Sequence, residues 1–169
     1  MKNITINKQY LNFADTLTRT QKVKVDNIEI KKGSSSDFFP SRYDLMLFLA
    51  AIGKKLGKRK KLPKVKKERI DFVPNNVLEN NYDKLFGQIL IYLIDEKGIK
   101  SIDKEKEVFE AEAIDIFEEY LNAGFEILDT WIAGKTIDPR EIIISRLTDT
   151  GILKEIDSEP EDKSSYSKD

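Results

Sequence analysis

Apolar residues recur along the chain with two periods, and the changes of period mark out the elements. Tyr10, Phe13, Ala14 and Leu17 stand at i, i+3, i+4 and i+7, the stripe of a short amphipathic helix within residues 8–19. From 22 to 31 the period drops to two. Val23, Val25, Ile28 and Ile30 alternate with polar residues around Asp26-Asn27, which predicts a small β-hairpin or one bent strand. Gly33-Ser34-Ser35-Ser36 reads as a flexible loop. Ser41, with Asp44 three residues on, is a capping-box-like start. Leu45, Met46, Phe48, Leu49, Ile52 and Leu56 then cover most faces of a buried helix that Gly57 stops. Its small residues Ala50, Ala51 and Gly53 would let a neighbouring element come close.

Pro63 prevents residues 58–69 from forming a continuous helix. Ile70 and Phe72, with Val65 as a further candidate, suggest a strand, and Pro74-Asn75-Asn76 breaks the chain. Asn81 is placed to cap a second core helix over residues 82–96, built on Leu85, Phe86, Ile89, Leu90, Leu93 and Ile94 and ended by Gly98. The longest helix is expected from Asp103 to Ala133, with Asn122-Ala123-Gly124 as a weak point inside it. Asp138-Pro139 pairs an N-cap with a proline at the first helical position, opening a short helix that carries Ile142, Ile143 and Leu147 and stops at Gly151. Residues 155–169 offer only Ile156 and Tyr166 for burial and read as a disordered acidic tail. The expected fold is mainly α: one small antiparallel helical domain over residues 1–154, with a short β-hairpin or strand pair near the N-terminus.

Composition changes this picture mainly through two zeros. The 169 residues suffice for one ordinary domain, and 40% apolar content suffices for its core. With no His and no Cys, a Ser-His-Asp triad, a cysteine nucleophile, a disulfide and a thiolate or imidazole zinc site are all excluded. Any catalysis would rest on carboxylates, Lys, Arg, Tyr, Ser or Thr, or on a carboxylate-held metal. Gly53-Lys54-Lys55-Leu56-Gly57-Lys58 is no phosphate loop, because its spacing is wrong and it follows a helix, not a strand. No cofactor is expected. The first eight residues hold no apolar signal region, and the longest apolar runs, Leu45–Ile52 and Ile89–Ile94, fall far short of the roughly 20 residues a bilayer span needs. A cytoplasmic protein without membrane contact is the expectation.

The net charge of −1 hides a division. Lys54, Lys55, Lys58, Arg59, Lys60, Lys61, Lys64, Lys66, Lys67 and Arg69 are opposed within their stretch only by Glu68, leaving a basic arm of +9 over residues 54–69. Residues 103–129 carry ten acids against Lys104 and Lys106, and residues 155–169 carry six acids against two lysines. Three readings of the arm stand side by side. It contacts phosphates, it docks on an acidic partner protein, or it is solvated or paired with the acidic helix of its own chain. No aromatic residue lies between Lys54 and Arg69, so nucleic-acid contact would address the backbone and not stacked bases.

Other chemistry is thinner. Glu29 and Lys31, with Asp15 or Asp26 upstream, have the E-x-K spacing of a metal-dependent nuclease, and the same residues also fit the solvent face of an alternating strand. Glu118-Glu119 and the i, i+4 pair Asp115 and Glu119 read as a solvated or partner-facing surface. Trp131, the single tryptophan, reads as a core or interface anchor.

Two stretches carry a resemblance. Tyr43-Asp44-Leu45-Met46-Leu47-Phe48-Leu49-Ala50-Ala51-Ile52-Gly53-Lys54-Lys55-Leu56-Gly57-Lys58-Arg59 resembles the D-V-M-x-F-A-A-x-L-G helix and basic turn of the Dnd (DNA phosphorothioation) system-associated protein 4 family. Ile116-Phe117-Glu118-Glu119-Tyr120-Leu121-Asn122-Ala123-Gly124-Phe125-Glu126-Ile127-Leu128 resembles that family's EEYANAGLE helix. The chain departs from the pattern at Leu121, where Ala is favoured, in its N-terminal extension with the hairpin, and in the density of its basic arm. The resemblance implies a genomic setting beside DNA phosphorothioation and anti-phage restriction systems, and it brings no catalytic residues. The resulting expectation is a non-catalytic accessory or assembly subunit of a DNA-targeting defence complex. It would bind a larger protein partner and could use the basic arm on the DNA backbone, with self-association left open. The alternatives are a stand-alone nucleic-acid-binding regulator and a divergent nuclease using Asp15, Glu29 and Lys31.

Overall fold

A computed structural model describes residues 3–18, 22–25, 28–31, 38–103 and 105–153. Of residues 22–25 and 28–31 it describes the backbone alone. The expected loop at Gly33–Ser36 and the expected tail over 155–169 lie outside the described residues.

Strand β1 (Ile4–Asn7) leads through a 3-10 turn at Lys8–Tyr10 into helix α1 (Leu11–Leu17). Strands β2 (Lys22–Val25) and β3 (Ile28–Lys31) pair antiparallel with Val25 opposite Ile28, so the alternating segment is a hairpin and not one bent strand. Its base is closed where Thr18 bridges Phe39 and the Phe39 amide donates to the Leu17 carbonyl at 3.1 Å.

Helix α2 (Arg42–Lys55) starts where its cap predicts. The Ser41 hydroxyl accepts from the Asp44 amide, and Gly57 ends the helix at φ +63°. After a 3-10 turn at Lys66–Glu68, strand β4 (Arg69–Val73) pairs antiparallel with β1, Ile6 opposite Ile70. Val65 lies outside this strand and is exposed. Helix α3 (Asn75–Glu79) forms just after Pro74, where the sequence suggests only a break. Helix α4 (Tyr82–Lys97) ends at Gly98. Asn81 sits at its N-cap without capping it; its side-chain amide donates instead to the Val77 carbonyl.

Helix α5 (Lys106–Ile132) is preceded by a 3-10 turn at Ile99–Asp103, so the long helix begins three residues later than Asp103 suggests. Helix α6 (Pro139–Asp149) is capped by Asp138, whose side chain accepts from the Arg140 amide. Thus α5, roughly 40 Å long, is the axis of the molecule, and β1, α2, α4 and α6 all pack on it.

The core explains this order. Leu45, Met46, Leu49 and Ala50 of α2, Leu85, Ile89 and Leu93 of α4, and Phe117, Leu121, Phe125 and Leu128 of α5 are all fully buried. Helices α2 and α5 cross antiparallel through two glycines. Gly53 lies against the Tyr120 carbonyl, and Gly124 lies against the Leu49 carbonyl, each so close that a β-carbon would overlap the backbone opposite. Asn122-Ala123-Gly124 is therefore not a weak point but the tightest part of the helix, with all three residues buried. Of the small residues in α2, Gly53 and Ala50 meet a neighbour, whereas Ala51 faces outward.

The strand edge is held by α5 as well. Glu118 and Asn122 are 2% and 1% exposed. The Glu118 carboxylate accepts the Thr5 amide at 2.8 Å and the Thr5 hydroxyl at 2.9 Å. The Asn122 carbonyl oxygen accepts the Asn7 amide at 2.9 Å, and its amide donates to the Glu118 carbonyl. Two helix side chains thus replace the third strand that the open edge of β1 lacks. Glu118 is consequently no part of a solvated acidic face, as its position beside Glu119 suggests, but a buried acceptor. Trp131 is half-buried against the core.

Candidate nucleic-acid interface

The basic arm divides into two sets. Lys54, Arg59 and Lys60 fold back onto the acidic faces of α4 and α5. Lys54 Nζ lies 3.3 Å from Asp95 and 3.6 Å from Glu96. Arg59 bridges the two helices, reaching Glu96 at 2.7 Å and Glu119 at 2.6 Å. Lys60 Nζ reaches Glu126 at 2.6 Å and donates to the Tyr10 hydroxyl at 3.1 Å. Its backbone amide also donates to the Glu119 carbonyl, tying the arm to the middle of α5.

Aromatic rings complete this clasp. Lys54 and Arg59 both lie over the Tyr120 ring, and Lys60 lies over Tyr10. The Tyr120 hydroxyl donates to Glu96, and this bond together with Arg59 and Lys54 holds the Glu96 carboxyl below its ordinary value despite the opposing effect of burial. Partial burial alone would favour the neutral forms of Lys54 and Lys60, but hydrogen bonds to Asp95 and to Glu126 outweigh it and raise both ammonium groups. Burial pushes the Tyr92 phenol up to about 12, with Tyr120 adding to the effect. All three cations of the clasp thus stay charged and occupied.

The second set faces water. Lys55, Lys58, Lys61, Lys64, Lys66 and Lys67 are exposed, and among the described residues none of them has an ion-pair or hydrogen-bond partner for its ammonium group. Arg69, exposed at the start of β4, donates through Nε to the Pro63 carbonyl at 2.5 Å, which pins the two ends of the loop and engages no acid. Seven of the ten arm cations are therefore not neutralised by this fold.

The geometry is that of a basic loop pressed onto a scaffold by three cations while the others point outward. Such a row can neutralise successive phosphates or carboxylates, with no aromatic platform for bases. The sequence identifies all ten cations but not how they divide. The partners Glu96, Tyr120 and Tyr10 come from three separate elements, so no local spacing points to them.

The alternative nuclease set has less support. Asp15, on α1, is held by Arg42 at 2.5 Å, while the side chains of Glu29 and Lys31 lie outside the described residues. Among the described residues no three acidic side chains converge as a metal site would require, and no helix is long and apolar enough to cross a membrane.

No curated protein and no solved structure matches the chain. A family model does: that of DNA sulphur modification system-associated protein 4 matches residues 19–165, covering both helical stretches that carry the resemblance and the whole basic arm, and the chain belongs to this family.

Proposed function

We propose that this chain is a non-catalytic accessory subunit of a DNA-targeting defence complex associated with DNA sulphur modification, attached to a larger protein subunit and laid against the DNA backbone through its basic arm. The observation that carries this reading is the division of the arm. Three cations fix the loop, and six lysines on the same loop are left exposed and without partners. A row of this kind suits a polyanion read through its charge, since counterion release supplies affinity without base contacts. The family supplies the setting, a DNA sulphur modification system.

The test is binding of a short duplex DNA across a salt series. Six phosphate contacts would give a logarithmic salt slope of roughly −5. Replacing Lys58, Lys61, Lys64, Lys66 and Lys67 by Gln together should flatten that slope to near −1 and leave the helical circular dichroism unchanged. Absence of DNA binding by the wild type at about 50 mM salt would overturn the DNA part of the reading. If the Gln variant then also lost co-purification with a larger subunit of the system, the arm would be assigned to an acidic protein surface.

A further inference from the structure

An apolar groove lies beside the arm, between α2, α4 and the chain just beyond α6. Phe48, Ala51, Ile91, Tyr92, Leu147 and Leu153 line a cavity of about 510 Å³. A second hollow of about 390 Å³ continues it along Phe48, Ala51, Ile91 and Tyr92. Ile91 is 58% exposed and Leu153 44%, an unusual state for such residues on a chain with this much charge to present. The rim carries Lys54, Lys55 and Asp95. Lys54 and Asp95 satisfy each other, and Lys55 is left without a partner.

The last described residue, Leu153, is itself part of this groove, so the chain leaves the fold inside it and beside Lys55. The sixteen residues that follow contain six acids and three lysines, with Ile156 three positions after Leu153. We propose that residues 154–169 dock back across the groove. Ile156 meets the Phe48, Ile91 and Tyr92 surface, and Glu155, Asp157, Glu159, Glu161 and Asp162 engage Lys55, Lys58 and Lys61. The segment is a built-in competitor for the lysines that the proposed function assigns to DNA, and to that extent rests on that reading. Lys58 is placed for this by its own amide, which donates to the Gly53 carbonyl at 2.9 Å and keeps it at the groove end of α2. A tethered segment acts at an effective concentration in the millimolar range, and sixteen residues reach up to about 50 Å when extended. Both are ample for the distance from Leu153 to its neighbour across the rim. Displacement by a long polyanion would free the groove and the lysines together.

Two measurements on the full-length protein test this. In the first, Glu155→Gln, Asp157→Asn, Glu159→Gln, Glu161→Gln and Asp162→Asn are combined, and the affinity for a short DNA duplex should rise about tenfold at about 50 mM salt. Ile156→Ser should give a smaller gain in the same direction. In the second, zero-length carbodiimide coupling of the wild type, without DNA, should join tail carboxylates to Lys55 or Lys58 within one copy. Unchanged affinity overturns the competition. A gain in affinity without those cross-links overturns the docking, since altered net charge alone would explain it. Cross-links formed only between copies, in a mixture of isotopically distinct protein, would assign the groove to a second molecule. Cross-links within one copy of a protein that binds no DNA would leave the docking standing and remove the DNA reading.

Discussion

Gly53 and Gly124 each occupy a place where the opposing helix backbone takes up the volume of a side chain. Gly124→Ala pushes a methyl group into the Leu49 carbonyl, and neither backbone can yield without separating α2 from α5. The expected cost is about 1–3 kcal/mol, read as a lower urea midpoint with an unchanged slope. An exposed helical glycine provides the control. Gly87 has open space where its β-carbon would be, and Gly87→Ala should stabilise by about 1 kcal/mol or less. The sequence marks Gly53 as a site of close approach but offers Gly124 only as a helix breaker. Intrinsic propensity disfavours glycine in a helix interior, and that preference is overridden here by a contact with a residue 75 positions away, which no local pattern reveals. Glu118 is misjudged for a similar reason. Its neighbours in sequence are acidic and exposed, and its partner is the backbone of Thr5.

At the scale of elements, the clasp joins α4, α5 and the arm around Glu96, and its behaviour with pH follows from the shift of that carboxyl. Glu96 is held below its ordinary value of 4.5 in the folded protein, so its contribution to stability is present above that pH. It is lost as the pH falls through the depressed folded value. Glu96→Gln should therefore be less stable than the wild type near neutrality, and the gap between their urea midpoints should close below about pH 4.5. A gap that stays constant down to pH 3 would detach the charge of Glu96 from the clasp. Elements with their own signals are legible in the sequence. The capped start of α2 at Ser41, the proline-led start of α6, the hairpin and the bodies of α4 and α5 all form where period and caps place them. Strand β1 is the conspicuous omission. Ile4 and Ile6 alternate as a strand should, but four residues are a weak periodic signal, and what stabilises them is pairing with β4 and capping by α5.

For the whole molecule, the sequence shows how much charge there is but not where it goes. Ten arm cations and ten acids on and around the long helix suggest mutual cancellation, and the fold cancels only Lys54, Arg59 and Lys60. Side-chain reach and the path of the loop after Gly57 decide that outcome, and neither is written in composition. Because the three paired cations lie against α5 and the six unpaired lysines face away, the two sets should separate by experiment. Arg59→Gln is expected to lower stability by about 1 kcal/mol or less, read in urea, with DNA affinity changed by less than about threefold. Such a result would show that the row of free lysines, and not the total charge of the arm, sets affinity.

The buried caps on β1 also bear on the birth of the chain. Thr5 and Asn7 depend on Glu118 and Asn122, more than a hundred residues downstream, so a ribosome must deliver two thirds of the protein before its first strand can be completed. Until then β1 is an open edge at the exposed end of a growing polypeptide, available to trigger factor-like chaperones or to another nascent copy. Stalled chains ending before residue 118 should leave Ile4 and Ile6 open to protease, and protection should appear abruptly once residue 122 has cleared the exit tunnel.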